Sequence, residues 1–115
     1  MCWPSGRPSQ GAELQASYAE QFTREYGCTE AEWLGWLPAA LGEGEVQRAG
    51  RQLAQRWADQ PEAGLRLEWA VLPPRVIGLA VLPRLQVGFS FTGLDGAQRF
   101  RYMRRFDLYM MRGGG

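Results

Sequence analysis

The side chains that could do chemistry in this sequence are guanidinium groups, because every one of its 13 basic residues is an arginine. Lysine and histidine are absent, which removes the commonest general base, the commonest zinc ligand and the amine of Schiff-base catalysis. A planar guanidinium instead binds a carboxylate or a phosphate through paired hydrogen bonds. The sequence therefore predicts a protein that binds rather than an enzyme, with no metal or other cofactor.

The charges are divided along the chain. Residues 1–64 carry nine carboxylates and five arginines, whereas residues 65–115 carry eight arginines and three carboxylates. The net charge of +1 therefore conceals an acidic half and a basic half. Such a division favours a binding role, although basic strands neutralised by acidic helices of the same chain would be the simplest account of it.

Two arginines follow prolines in a short repeated segment, since residues 70–75 read AVLPPR and residues 80–84 read AVLPR. We interpret each proline as the end of a strand and each arginine as a solvated turn residue, with an anion clamp at one of them as the alternative. Alternate turns of a meander lie at opposite ends of the sheet, so Arg75 and Arg84 are not expected to meet.

Arg104 would lie on an apolar strand face if the last segment of the chain is extended. An unpaired guanidinium there would be strongly unfavourable. We therefore expect a β-bulge that turns it outward, a carboxylate from a helix, or a ligand cavity. The cavity hypothesis predicts an anionic headgroup on Arg104 or Arg75 and an apolar body against Trp69 and Phe89.

The segment from Arg99 to Phe106 mixes basic and aromatic residues, a pattern typical of proteins that bind single-stranded nucleic acid. The candidate phosphate contacts are Arg99, Arg101 and Arg105. On a strand, however, these arginines face away from the aromatic rings, which then belong to the core. Nucleic acid is therefore the less favoured partner.

The elements that carry these side chains divide the chain into two parts. Apolar stripes and capping signals predict three helices, over about residues 10–26, 30–38 and 45–58. The second helix begins with a capping box formed by Thr29 and Glu32, and Pro38 kinks or ends it.

Alternating apolar and polar residues predict four strands, over residues 65–71, 76–82, 85–92 and 97–112. Gly93–Gly96 is interpreted as a hairpin turn. The last segment also has a helical stripe at Phe100, Met103, Phe106 and Met110, but the turn and the aromatic content favour a strand.

The sequence therefore predicts a single α+β domain over residues 1–115, with three N-terminal helices packed on one face of a four-stranded antiparallel meander. An irregular segment (1–8) precedes the helical part (9–59), and a glycine tail (113–115) follows the strand part (65–112). The other face of the sheet would be open to water, a partner or a ligand.

The first functional hypothesis is a small cytoplasmic accessory protein that acts through protein–protein contacts. We expect a homodimer that buries part of the open sheet face and the methionines Met103, Met110 and Met111. The chain has neither an apolar run that could span a membrane nor a secretory signal, which favours the cytoplasm and no membrane partner. The anionic ligand and single-stranded nucleic acid are the alternatives.

Overall fold

The computed structural model describes residues 17–114, with side chains described as far as residue 111. In chain order the elements are β1 (Gln21–Tyr26), α1 (Glu30–Leu41), β2 (Glu45–Ala49), β3 (Gln52–Trp57), β4 (Gln60–Ile77), β5 (Ala80–Thr92) and α2 (Gly96–Gly114). The five strands form one antiparallel sheet in the order β1-β5-β4-β3-β2. The predicted irregular segment 1–8, residues 10–16 of the first predicted helix and Gly115 lie outside the described residues.

The predicted fold class is wrong in its element count, because the structure has two helices and five strands instead of three helices and four strands. The α+β content is nevertheless present. Both helices cover one face of the sheet, where Trp33 of α1 contacts Trp69 of β4 and Phe106 of α2 contacts Phe89 of β5. Their rings are buried and form the centre of the core.

Helix α1 begins with the capping box that the sequence predicts. The hydroxyl of Thr29 accepts a hydrogen bond from the backbone N–H of Glu32 (3.1 Å), and the Thr29 N–H donates to the Glu32 carboxylate (2.9 Å). The helix continues past the exposed Pro38 to Leu41. It ends at Gly42, whose φ of 69° permits the closing bond from its N–H to the Pro38 carbonyl oxygen.

The helix predicted over residues 45–58 is instead the β2–β3 hairpin, and the end of the helix predicted over residues 10–26 is β1. A spacing of four residues, as between Phe22 and Tyr26, places side chains on one face of a strand as well as on one face of a helix. Gly50, with a φ of 61°, supplies the turn between β2 and β3. The apolar spacing alone could therefore not separate the two structures.

The last segment is helical, and the strand predicted over residues 97–112 is wrong. Asp95 and Gln98, within the predicted hairpin turn and just after it, form a reciprocal cap at the start of α2. The Gln98 N–H donates to the Asp95 carboxylate (2.8 Å), and the Asp95 N–H donates to the Gln98 side-chain oxygen (2.9 Å). The helical stripe then buries Met103, Phe106 and Met110 against the sheet.

The prolines do not end strands, because β4 and β5 both continue past them into one long hairpin. The regular pairing of β4 with β5 reaches Leu72 opposite Arg84, is interrupted at Pro73 and Pro74, and resumes with Arg75 opposite Leu82. We call residues 73–83 the β4–β5 arm. Since proline cannot donate to a strand ladder, it is tolerated at such an interruption.

Candidate interaction surface

The β4–β5 arm carries a set of apolar side chains that the rest of the described chain leaves uncovered. Leu79, in the turn at its end, is fully exposed. The side chains of the paired strands around it are 44–65% exposed and belong to Val76, Ile77, Val81 and Leu82. Apolar clusters of this kind, unlike single exposed residues, mark contact surfaces.

Both faces of the β4–β5 arm are apolar. Val76 pairs with Val81, and the next residue, Ile77, pairs with Ala80. Consecutive residues of a strand point to opposite faces, so the valine pair lies on one face and Ile77 on the other. The β4–β5 arm therefore exposes apolar side chains on both of its faces, and the core of its own molecule buries neither face.

Glu25 of β1 attaches the base of the β4–β5 arm to the sheet. The Arg84 guanidinium donates to this carboxylate (2.8 Å) and to the Pro73 carbonyl oxygen (3.2 Å), while Arg75 reaches the same carboxylate at 3.5 Å. The bond to Glu25 raises the pKa of Arg84. The prediction that Arg75 and Arg84 do not meet is wrong, because they lie on adjacent strands of one hairpin.

The four residues of the predicted anion cavity do not converge. Arg104 is exposed on α2, and Arg75 lies at the base of the β4–β5 arm beside Glu25. Trp69 and Phe89 are buried in the core. The apolar strand face on which Arg104 was predicted to lie does not exist, because this segment is the helix α2. The small-ligand hypothesis stays a prediction, without a pocket formed by these four side chains.

The arginines of the nucleic-acid hypothesis have different surroundings. Arg99 donates to the carbonyl oxygens of Tyr18 (2.8 Å) and Leu94 (2.6 Å). Arg105 donates to that of Ala40 at the end of α1 (3.0 Å), where a cation is favourable for the helix dipole. Arg101 is exposed. The strand face predicted for these arginines is wrong, because the segment is the helix α2. Arg99 and Arg105 instead connect elements of the fold.

The predicted methionine interface is divided between the core and the surface. Met103 and Met110 are buried under the sheet, whereas Met111 is exposed on α2. Because the first two have almost no accessible surface, they cannot touch a partner without a rearrangement of the core. Of the three methionines predicted to lie in an interface, only Met111 is accessible.

A second apolar surface lies between α1 and the edge of the sheet. It is a depression of about 340 Å³, and we call it the α1–β2 groove. Its apolar lining consists of Leu34, Leu37, Pro38, Leu41, Val46 and Leu53, with Gly42 and Arg48 beside them. Every residue of the edge strand β2 is exposed. The sequence prediction missed this groove because it assigned residues 45–58, which include β2, to a helix.

A polar cluster beside the α1–β2 groove joins the start of α1 to the β2–β3 hairpin and to β4. Glu30 accepts hydrogen bonds from Arg51 (2.7 Å) and from the indole N–H of Trp69 (2.8 Å). The guanidinium of Arg48 lies 5.7 Å from the centre of a Trp69 ring. The bonds from Arg51 and Trp69 lower the pKa of Glu30 from 4.5 to about 2. This cluster ties the start of α1 to β4 and to the β2–β3 hairpin.

The lowered pKa of Glu30 predicts a pH-dependent stability difference. A carboxylate with a lowered folded-state pKa stabilises the protein fully above its unfolded-state pKa, and the effect is lost as the pH falls through the folded value. The free energy of unfolding of Glu30→Gln should therefore be below that of the wild type at pH 7. The difference should disappear as the pH falls from about 4.5 to about 2, the values of the Glu30 pKa in the unfolded and the folded protein.

Urea unfolding at several pH values measures this difference, and Glu45→Gln, an exposed carboxylate of β2, is the matched control. A Glu30→Gln difference that stays constant from pH 7 to pH 2 would show that ionised Glu30 does not stabilise the cluster.

Within residues 17–114, α1 and α2 both lack the uninterrupted apolar length that a bilayer crossing demands. In the same part of the chain, no three histidine, cysteine, aspartate or glutamate side chains gather closely enough to hold a metal ion. Comparisons with protein families, with curated proteins and with solved structures find no match for this chain.

Proposed function

We propose that this protein is a small binding protein that acts through protein–protein contacts and forms a homodimer through the β4–β5 arm. The observation that carries the proposal is the apolar ribbon whose two faces are both exposed. A two-stranded hairpin alone is marginally stable in water. A contact that covers its side chains would stabilise it and would remove apolar surface from water at the same time.

The charge pattern supports a protein partner for the β4–β5 arm. Between Glu68 and Asp95 the sequence has no charged residue other than Arg75 and Arg84. Arg75 lies at the base of the arm, Arg84 directly follows the arm, and both are neutralised in part by Glu25. The end of the arm is therefore uncharged, which matches the apolar centre and polar rim of protein interfaces.

The double variant Ile77→Asp/Leu79→Asp tests this proposal. We expect the wild type to sediment as a dimer at tens of micromolar and the double variant to sediment as a monomer, because two carboxylates per arm would have to be buried in the interface. Both side chains are exposed, so the folded chain should keep its unfolding transition.

Leu108→Asp is the matched control for this experiment, since Leu108 is an exposed apolar residue of α2 outside the β4–β5 arm and the α1–β2 groove. This control should remain a dimer. A wild type that is monomeric at tens of micromolar would refute the proposed homodimer. The cytoplasmic location stays a prediction from the sequence.

A further inference from the structure

We propose that the α1–β2 groove binds an extended peptide of a partner protein, which adds to the free edge of β2 and carries an acidic residue two positions before an apolar one. Such strand addition takes its affinity from main-chain hydrogen bonds and its specificity from contacts with alternate side chains. None of the residues that line the groove belongs to the β4–β5 arm. The inference therefore goes beyond the proposed homodimer and does not rest on it.

The free edge of β2 offers the backbone groups that an added strand needs. β2 is the last strand in the order of the sheet and pairs with β3. Ala49 and Gln52 pair with each other across the two-residue turn, and from there hydrogen-bonded and non-bonded pairs alternate along the hairpin. The backbone N–H and C=O groups of Arg48 and Val46 therefore point away from β3, toward the open side of the sheet.

The same two residues also present their side chains to the α1–β2 groove. Val46 and Arg48 both line it, whereas Glu45 lies on the other face of the strand. An added strand is expected to be antiparallel, because the whole sheet is antiparallel and this pairing is the more stable one. It would place one residue opposite Arg48 and, two positions later, another opposite Val46.

Arg48 is held in position for a carboxylate of the peptide. Its Nε donates to the Gly50 carbonyl oxygen (2.9 Å), and its guanidinium lies 5.7 Å from the centre of a Trp69 ring. Its two terminal nitrogens form no hydrogen bond and no ion pair with residues 17–111. A guanidinium that keeps paired donors free can bind a carboxylate through two parallel hydrogen bonds.

The charges around Arg48 favour an acidic residue in the peptide. The Glu30 carboxylate bonds to Arg51 (2.7 Å) and also attracts Arg48, so one negative charge serves two positive charges. Among the described residues that line the α1–β2 groove, Arg48 alone is charged. An acidic side chain is complementary to this end of the groove, whereas a basic one would be repelled.

The other end of the α1–β2 groove suits the apolar residue of the peptide. The last turn of α1 lies near Val46, because Gln55, which pairs with Val46, donates to the Leu41 carbonyl oxygen (2.8 Å). The lining here is apolar, and Val46 itself is 41% exposed. The volume of the groove, about 340 Å³, is at the lower end of the range for ligand pockets. It therefore matches the side chains of a short peptide.

A charge exchange between the protein and the peptide tests this site. The acidic probe is a short fluorescein-labelled peptide with Glu two positions before Leu in a background of Thr, and the basic probe has Lys in place of Glu. We expect Arg48→Glu to weaken binding of the acidic probe about tenfold in fluorescence anisotropy and to strengthen binding of the basic probe by a similar factor.

Arg66→Glu is the matched control for the charge exchange. Arg66 is exposed on β4 between the buried Leu65 and Leu67, so its side chain lies on the face of the sheet opposite the helices. This variant changes the charge by the same amount and should bind both probes as the wild type does. Equal effects of Arg48→Glu and Arg66→Glu would show a general attraction between charges and would overturn the site.

Modified peptides test strand addition without any change to the protein. N-methylation of the Glu and Leu amides removes the donors that would pair with Arg48 and Val46, and it should weaken binding of the acidic probe about tenfold. N-methylation of the residue between them is the control, because its N–H would point away from β2. A probe with Glu and Leu adjacent should also bind about tenfold more weakly, since it places the two side chains on opposite faces.

Three outcomes would overturn the inference. The wild type binds neither probe at about 1 mM, the two N-methylated probes bind equally well, or the acidic probe binds only after dilution has dissociated a dimer. The last result would assign the α1–β2 groove to a second copy of the chain. The homodimer of the β4–β5 arm is decided separately by sedimentation of Ile77→Asp/Leu79→Asp, so either proposal can fail while the other stands.

Discussion

Asp107→Leu should lower the free energy of unfolding by about 3 kcal/mol, because it leaves the guanidinium of Arg24 without its counter-ion beneath α2. Arg24 lies on the helix side of β1, and its side chain is only 12% exposed. It forms an ion pair with Asp107 through both nitrogens of its fork, with one Nη2–Oδ2 distance of 3.1 Å. The expected loss is at the low end for buried pairs, since the Asp107 side chain is 29% exposed.

The neighbours of Arg24 cannot replace the carboxylate. The hydroxyl of Tyr18 accepts from Arg24 (3.0 Å) and donates to Asp107 (3.3 Å), so it bridges the pair. The guanidinium also lies 5.4 Å from the centre of the Tyr18 ring and 5.8 Å from that of Phe89. These contacts stabilise a cation but do not neutralise it, and the lost charge therefore dominates the result.

The double variant Arg24→Met/Asp107→Leu is the control, because it removes both charges and keeps the apolar volume. We expect it to recover most of the stability lost in Asp107→Leu, as is typical when a buried ion pair is replaced by apolar residues. Urea unfolding of Asp107→Leu, Arg24→Met and the double variant gives the coupling energy between the two side chains. If the free energy of unfolding of Asp107→Leu lies within about 0.5 kcal/mol of the wild-type value, the ion pair is solvated and our account of it is wrong.

Gln55→Leu should destabilise the protein by about 3 kcal/mol, because three polar groups lose their hydrogen bonds at once. Gln55 of β3 has no accessible surface. Its amide nitrogen donates to the carbonyl oxygens of Leu41 (2.8 Å) and Glu43 (2.9 Å), and its amide oxygen accepts from the Tyr102 hydroxyl (2.8 Å). One side chain thus joins the end of α1, the sheet and α2.

Leucine fills a similar volume but offers no donor or acceptor, so the substitution isolates the hydrogen bonds from the packing. Gln52→Leu is the matched control on the same strand, since Gln52 is exposed and should change stability by less than about 0.5 kcal/mol. Thermal or urea unfolding measures both variants. Equal stabilities of Gln55→Leu and Gln52→Leu would show that water replaces the lost partners of Gln55.

The parts of the fold that could be predicted are those in which local chemistry has one solution. The capping box of Thr29 and Glu32 needs a helix N-terminus, and the structure confirms it. The alternation over residues 65–71 and 85–92 lies in β4 and β5. The apolar stripe over residues 45–58 fits the period of a helix and that of a strand. The hairpin that forms there buries the polar Gln55, which no local pattern reveals.

The sequence shows the apolar composition of the candidate surface but not its exposure. Residues 76–82 are an uninterrupted apolar run in the sequence, which indicates a buried strand when the surrounding fold is unknown. Their exposure follows from the length of β4 and β5, which extend beyond the strands beside them. The meeting of Arg75 and Arg84 at Glu25 depends on strand order and register. Both are long-range properties, and the spacing of residues along one chain does not contain them.

The prolines near the root of the ribbon have a further consequence, for colloidal behaviour. Pro73, Pro74 and Pro83 have no amide hydrogen, so along this stretch a foreign backbone finds fewer donors to pair with. Fibril growth needs an unbroken ladder of such donors along a greasy edge. The ladder that a foreign strand could extend is therefore limited to residues 75–82, between the prolines, which should keep any such pairing between molecules short.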